Sequence, residues 1–191
     1  MMSEFEKDIE HCLFVLNEGG TILYPTDTVW GIGCDATNEE AVQKVFELKN
    51  RPATKSMIVL LADEKDLLKY VANPDPSVFE YLKKVQKPTT IIYDGAIGLA
   101  SNVIADDGSI AIRIVTDKFC RHLLKRFRKP IVSTSANIAG DPTPGIFREI
   151  LNPIRTGVDY VVHHRQDDDK HAQSSAVVKM NRDGSITTIR E

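Results

Sequence analysis

The sequence predicts an α/β fold with a twisted mixed sheet and flanking helices. Three observations carry that reading. Short apolar, β-prone runs alternate with segments whose apolar residues recur at helical spacing through most of the 191 residues. Strand-like runs on either side of Asp183-Gly184 read as an antiparallel hairpin, so the sheet is not purely parallel. Hydrophobic residues make up 42% and charged residues 27%, the balance of a globular chain and not of a disordered one. At this length one domain covering residues 1–191 is expected.

Taken in order, Phe5, Ile9, Cys12, Leu13 and Leu16 mark a helix over Glu4 to Asn17, which Gly19-Gly20 stops. Thr21 to Tyr24 is a short strand, ended by Pro25 because proline has no N–H to donate. Thr37 or Asn38 caps a second helix with Val42, Val45, Phe46 and Leu48 on its apolar face. That helix is expected to finish near Asn50, since Arg51 precedes Pro52. Ser56 to Leu61 reads as a buried strand, Asp63 to Tyr70 and Ser77 to Val85 as helices, and Thr89 to Tyr93 and Ser109 to Val115 as strands. Phe119 to Phe127 is a helix; Pro130 to Ser133, Tyr160 to Val162, Ser175 to Met180 and Ile186 to Ile189 are strands. Asp167-Asp168-Asp169-Lys170 is read as a mobile surface loop.

Composition narrows the function classes. A net charge of -3 argues against an all-over nucleic-acid footprint, while a local basic patch or anion-collecting cleft stays open. The N-terminus is acidic before its short apolar part, and no run reaches the roughly 18 apolar residues of a membrane span, so a soluble cytoplasmic protein is expected. Cys12, Cys34 and Cys120 are odd in number and unpaired in spacing, which suits packing thiols and not a disulfide framework or a zinc site.

The candidate chemistry gathers in Tyr24 to Ser56. Pro52 breaks the helix after Lys49 and frees Arg51 to turn toward the side that Lys49 and Lys55 face, a cation group suited to a polyphosphate. The same residues also suit a plain helix end, where they offset the negative dipole. Thr26, Asp27 and Thr28 follow a strand end, and Gly31 and Gly33 leave room for a ligand to approach the backbone; a simple turn accounts for them too. Asp27 has the chemistry of a base or metal ligand, but a loop aspartate is more often a cap. Ser133-Thr134-Ser135-Ala136-Asn137 ends a buried strand in small polar side chains, where open α/β sheets hold ligands, or merely caps a turn. Arg113, between Ile112 and Ile114, needs an anion or an internal salt bridge if buried. His163 and His164 point to opposite sides of a strand and so do not make a metal pair. Arg121, Lys125, Arg126 and Arg128 form a basic stretch able to touch RNA or to serve as a solvated helix face.

Together, YPTDTVWGIGCDA, LKNRPATKSMIVLL, the AIRI around Arg113 and STSAN resemble the YrdC-like family, whose enzymatic members are threonylcarbamoyl-AMP synthases. The resemblance runs in order from about Thr21 to Asn137, resumes near Ser175 and Arg190, and is to the short, single-domain form. It implies a concave, positively charged cavity that takes L-threonine, bicarbonate or carbon dioxide, and ATP. The expected products are threonylcarbamoyl-AMP and pyrophosphate, for the t6A modification of tRNA. By that resemblance Lys49, Arg51 and Arg113 are the catalytic candidates. Lys49, Arg51, Lys55, Ser135, Asn137 and Ser175 would hold ATP or its phosphates, and Tyr24, Thr26, Thr28 and Arg113 would hold threonine. Mg2+ is expected to arrive with ATP, with no dedicated protein cage. Expected partners are the t6A transferase proteins and tRNA or double-stranded RNA; the alternative is an RNA-binding module of the same fold without robust synthase activity. Two segments depart from the family pattern: Val85-Gln86-Lys87-Pro88 stands where a Pro-Gly-Pro is usual, and Ser175-Ala176-Val177-Val178-Lys179 where Ser-Thr-Val-Val-Asp is.

Overall fold

The computed structural model describes residues 5–52, 57–181 and 183–191. Nine strands form one mixed sheet in the order β7-β1-β2-β6-β3-β5-β4-β8-β9. They are β1 (Ile22–Tyr24), β2 (Gly31–Gly33), β3 (Ile58–Leu61), β4 (Thr89–Tyr93), β5 (Ile110–Ile114), β6 (Ile131–Ser135), β7 (Tyr160–Val161), β8 (Ala176–Met180) and β9 (Ile186–Arg190). The helices are α1 (Glu6–Asn17), α2 (Glu39–Leu48), α3 (Ser77–Lys84), α4 (Lys118–Phe127) and α5 (Asn152–Gly157). The expected hairpin is present, with β8 and β9 antiparallel, whereas β3 with β5 and β4 with β8 are parallel.

The sequence reading departs from this picture at several places. Gly31 to Gly33 is a strand, not a loop, and pairs with both β1 and β6. The expected strand at Pro130 to Ser133 runs on to Ser135, so the small polar run lies in the ladder instead of capping it. Asp63 to Tyr70 closes as a 3-10 helix over Glu64–Lys69, and α5 had no counterpart in the reading. The acidic loop lies at the surface, where Arg165 pairs with Asp168 at 2.7 Å and Arg148 with Asp169.

Register explains how polar groups meet on an apolar sheet. Val132, Val59, Ile112 and Ile91 stand in one row across β6, β3, β5 and β4 and are all buried. Because side chains alternate along a strand, the next positions, Ser133, Arg113 and Thr90, share the opposite face. That face carries the cavity.

Helix ends aim the chain into it. Asn50 adopts a left-handed φ of 48°, its N–H donates to Glu47 O at 3.0 Å, and Arg51 N–H donates to Phe46 O at 2.9 Å. This is a Schellman ending, with asparagine tolerating the conformation that most L-residues avoid. The α2 helix thus stops at Leu48, two residues before the expected end, and it is this turn at Asn50, ahead of Pro52, that swings Arg51 away from the helix axis.

Candidate functional site

A cavity of about 170 Å³ opens on the polar face of the sheet. Thr28, Arg51, Arg113, Ser133, Ser135, Ser175 and Arg190 are among its lining residues, together with Trp30, Gly31 and Thr143. Among the described residues that line it, three are arginines and none is Asp or Glu, so the wall suits anions. A wider lobe of about 590 Å³ shares Thr28 and Ser174 with it and is lined by Thr26, Asp27, Lys87, Arg165 and Lys170 among others. A separate groove of about 270 Å³ lies between Leu61 and Pro130, but its Lys69 and Lys129 are already paired with Asp66 and Asp35, each at 2.7 Å.

The loop after β1 is organised by one hydroxyl. Thr26 Oγ1 donates to Val29 O at 2.8 Å and accepts from Thr28 N–H at 3.0 Å. Thr28 Oγ1 lies 3.0 Å from Thr26 Oγ1, and since the Thr26 hydrogen is already committed, Thr28 is the donor in that contact. Thr28 is left with acceptor lone pairs at a junction of both lobes. Tyr24 does other work. It is buried, its hydroxyl donates to Val132 O at 3.0 Å, and its ring lies where a Cβ on Gly33 would come within 2.6 Å. Burial holds its phenol protonated far above the usual range.

Arg113 and Asp27 form a buried ion pair, with side chains 3% and 4% exposed and Nη2 3.1 Å from Oδ1. The pair is poorly aligned for hydrogen bonding. Asp27 Oδ1 and Arg113 Nε have no hydrogen-bond partner among the described residues, and the nearest further contact is Arg113 Nη2 to Thr26 Oγ1 at 3.5 Å. Buried guanidinium nitrogens are normally satisfied. Arg113 also lines the cavity, where a guanidinium suits a carboxylate or phosphate. Asp27 is engaged with Arg113 and with Thr116 N–H at 3.4 Å.

Lys49 is 1% exposed, and its ammonium donates to Asn137 O at 2.6 Å and to Ser135 O. Its own carbonyl accepts from Ala139 N–H at 2.8 Å, so the end of α2 is laced to the turn after β6. Burial, aided by the neighbouring Arg51 charge, pulls the Lys49 ammonium down to about 8. Asn137 turns its amide into its own loop, donating to Ile138 O at 3.0 Å and Asp141 O at 2.8 Å, and Oδ1 has no hydrogen-bond partner among the described residues. Ser175 Oγ meets Thr90 Oγ1 at 2.8 Å, and Ser175 O accepts from Arg190 Nη2 at 2.9 Å.

Of the residues singled out from sequence, Thr28, Arg51, Arg113, Ser135 and Ser175 therefore line the smaller cavity and Thr26 the adjoining lobe. Lys49, Tyr24 and Asn137 hold its frame, and Lys55 lies outside the described residues. Trp30, Thr143, Ser174 and Arg165 had not been marked. Arg165 in particular gave no signal, because its partner, the carbonyl of Thr26, is 139 residues away in sequence. Among the described residues no three His, Cys, Asp or Glu are grouped to hold a metal ion, and no helix is long and apolar enough to cross a membrane. Cys12, Cys34 and Cys120 are all free and buried.

A family model, Sua5_yciO_yrdC, described as "Telomere recombination", matches residues 14–191. Curated relatives named threonylcarbamoyl-AMP synthase include one from Idiomarina loihiensis, 35% identical over 146 residues and covering 75% of this chain and 78% of its own. Another, from Stenotrophomonas maltophilia, is 37% identical over 151 residues, covering 78% and 81%. Among solved structures, P. abyssi Sua5 complexed with L-threonine superposes with a TM-score of 0.84 at 21% identity, over 96% of this chain and 54% of that one. This chain thus spans about half of that protein. E. coli YciO gives a TM-score of 0.82 at 19% identity, over 97% of this chain and 89% of that one. At such identities the two structures share the fold.

Proposed function

The chain belongs to the Sua5_yciO_yrdC family, and from that premise we propose that it is a threonylcarbamoyl-AMP synthase, a nucleotidyltransferase. It takes L-threonine, bicarbonate or carbon dioxide, and ATP, and makes threonylcarbamoyl-AMP and pyrophosphate for t6A modification of tRNA. The observation that carries this reading is a cavity walled by Arg51, Arg113 and Arg190 and by the hydroxyls of Thr28, Ser133, Ser135 and Ser175, in a chain at least 35% identical to those synthases.

The chemistry asks mainly for positioning and charge stabilisation. The threonine amine adds to carbon dioxide, and a carbamate oxygen attacks the α-phosphorus of ATP as pyrophosphate leaves. Arg113, which lines the cavity, receives the threonine carboxylate while Asp27 keeps the guanidinium in place. Thr28 offers lone pairs to the amino or hydroxyl group of the substrate, and Thr26 fixes Thr28 from behind. Arg51 and Arg190 face the triphosphate, with Lys55 assigned there by its place in the motif and Ser135 and Ser175 supplying hydroxyls. Lys49 acts through Ser135 and Asn137, whose carbonyls it draws together. Mg2+ enters as part of the ATP substrate: no Asp or Glu is among the described residues that line the smaller cavity, and Asp27 of the adjoining lobe is paired with Arg113. We assign its product to the t6A transferase proteins that modify tRNA, and its site of action to the cytoplasm.

Incubation with ATP, labelled bicarbonate and threonine is expected to release threonine-dependent pyrophosphate and to label the carbamoyl-adenylate. No product, alongside tight and salt-sensitive binding of double-stranded RNA, would overturn the reading in favour of an RNA-binding module.

A further inference from the structure

We infer that Arg165 is a positioning residue for the substrate loop, held in place by Asp8 from α1; the inference rests on the synthase reading above. Asp8 is buried and accepts four hydrogen bonds: from Tyr160 Oη at 2.6 Å, His163 N at 3.0 Å, His164 N at 2.8 Å and His163 Nδ1 at 3.2 Å. Two of these are successive backbone amides just past the end of β7, so the carboxylate fixes the direction in which the chain leaves the sheet. His164 is further held by ring contacts to Phe5 at 5.0 Å and Phe119 at 5.7 Å. The next residue, Arg165, has a φ of 67°, a conformation that L-residues adopt only when their surroundings impose it.

That conformation delivers the guanidinium to two partners. Arg165 Nη1 donates to Thr26 O at 2.9 Å and Nε donates to Asp168 Oδ2 at 2.7 Å. Thr26 is the residue whose hydroxyl orders Thr28, and Arg113 Nη2 approaches that same hydroxyl at 3.5 Å. The loop is therefore gripped by its side chain from the sheet and by its carbonyl from Arg165, which also lines the wider lobe. Without the second grip Thr26 O has lost its charged donor, and the peptide is free to rotate and carry Thr28 off the wall. The Arg165–Asp168 pair is a third to a half exposed, so its direct worth to the fold is small. Its effect is expected in substrate binding.

Three variants, Arg165→Ala, Arg165→Lys and Asp168→Asn, are compared by steady-state kinetics and by calorimetric titration with threonine. Arg165→Ala is expected to raise the KM and Kd for threonine about tenfold, the equivalent of one charge-assisted hydrogen bond, while KM for ATP stays within about twofold. Arg165→Lys is expected to recover little, because a point charge does not span both partners. Asp168→Asn, in an exposed loop, gives a smaller rise in the same direction and carries the test should Arg165→Ala fail to fold. An unchanged threonine KM in the variants, an equal rise for ATP and threonine, or full rescue by lysine would each overturn the inference. If the unmodified protein binds threonine but releases no pyrophosphate, the synthase reading fails while the titrations still decide the role of Arg165. If it binds no threonine, both fall.

Discussion

Lys49 shows how one residue reconciles burial with charge. An ammonium 1% exposed would be costly unless paired, and here two carbonyls take it up in place of an acid. With its folded value near 8 and its ordinary value 10.5, the unfolded chain binds the extra proton between those limits. Stability therefore rises with pH across that window as the burial cost is relieved, and the cost is present in full below pH 8. Relative to Lys49→Met, the protein is expected to gain up to about 3 kcal/mol from pH 8 to pH 10.5 in denaturant titrations, a comparison that cancels the tyrosines and cysteines. A flat difference would mean that Lys49 keeps its proton throughout. Arg113 poses the reverse problem, being paired with Asp27 yet left with an unsatisfied Nε. The sequence marked it as a buried cation with either a ligand or an internal partner. The structure supplies the partner, and it also places Arg113 in the cavity lining.

Among the elements, β2 and the end of α2 shape the cavity most. A Cβ on Gly33 would sit 2.6 Å from the Tyr24 ring and 2.7 Å from Val132 O, so this strand position is glycine because β6 and Tyr24 pack directly on its backbone. Gly33→Ala is expected to destabilise the protein by about 1–3 kcal/mol in thermal or chemical denaturation, through overpacking that pushes β2 from β6. Unchanged stability would show that the sheet absorbs the methyl. Gly31 and Gly33 were legible as a sign of close approach, but what approaches Gly33 is the Tyr24 ring and what approaches Gly31 is Ser133 Oγ, and no local pattern tells a neighbouring side chain from a ligand. Likewise the helix end before Pro52 was foreseeable, whereas the left-handed Asn50 that turns Arg51 depends on bonds back to Glu47 and Phe46. Most of the strands and helices followed from periodicity, since burial of one face repeats along each segment, but the glycine strand β2 did not.

At the scale of the whole molecule, the sheet brings together groups that lie far apart in sequence. β6 sits between β2 and β3, β5 carries Arg113, and the ladder of β8 on β4 places Ser175 beside Thr90. Strand order of this kind is fixed by long-range pairing, so composition and spacing gave the mixed α/β class, and the family resemblance pointed to which motifs share a wall. Neither revealed that Lys49, Tyr24 and Asn137 brace that wall, nor that Arg165 reaches the Thr26 carbonyl while Asp8 holds the two residues before it. The central claim is that threonine and ATP occupy one cavity with separate anchors, Arg113 for the amino acid and Arg51 and Arg190 for the nucleotide. Calorimetric titration of the protein and of Arg113→Met with each ligand, alone and in the presence of the other, tests it most directly. The account predicts that both ligands bind together to the unmodified protein, and that Arg113→Met loses threonine binding by tenfold or more, about the worth of one charge-assisted pair, while keeping ATP. Competition between threonine and ATP, or undiminished threonine affinity in a folded Arg113→Met, would contradict it.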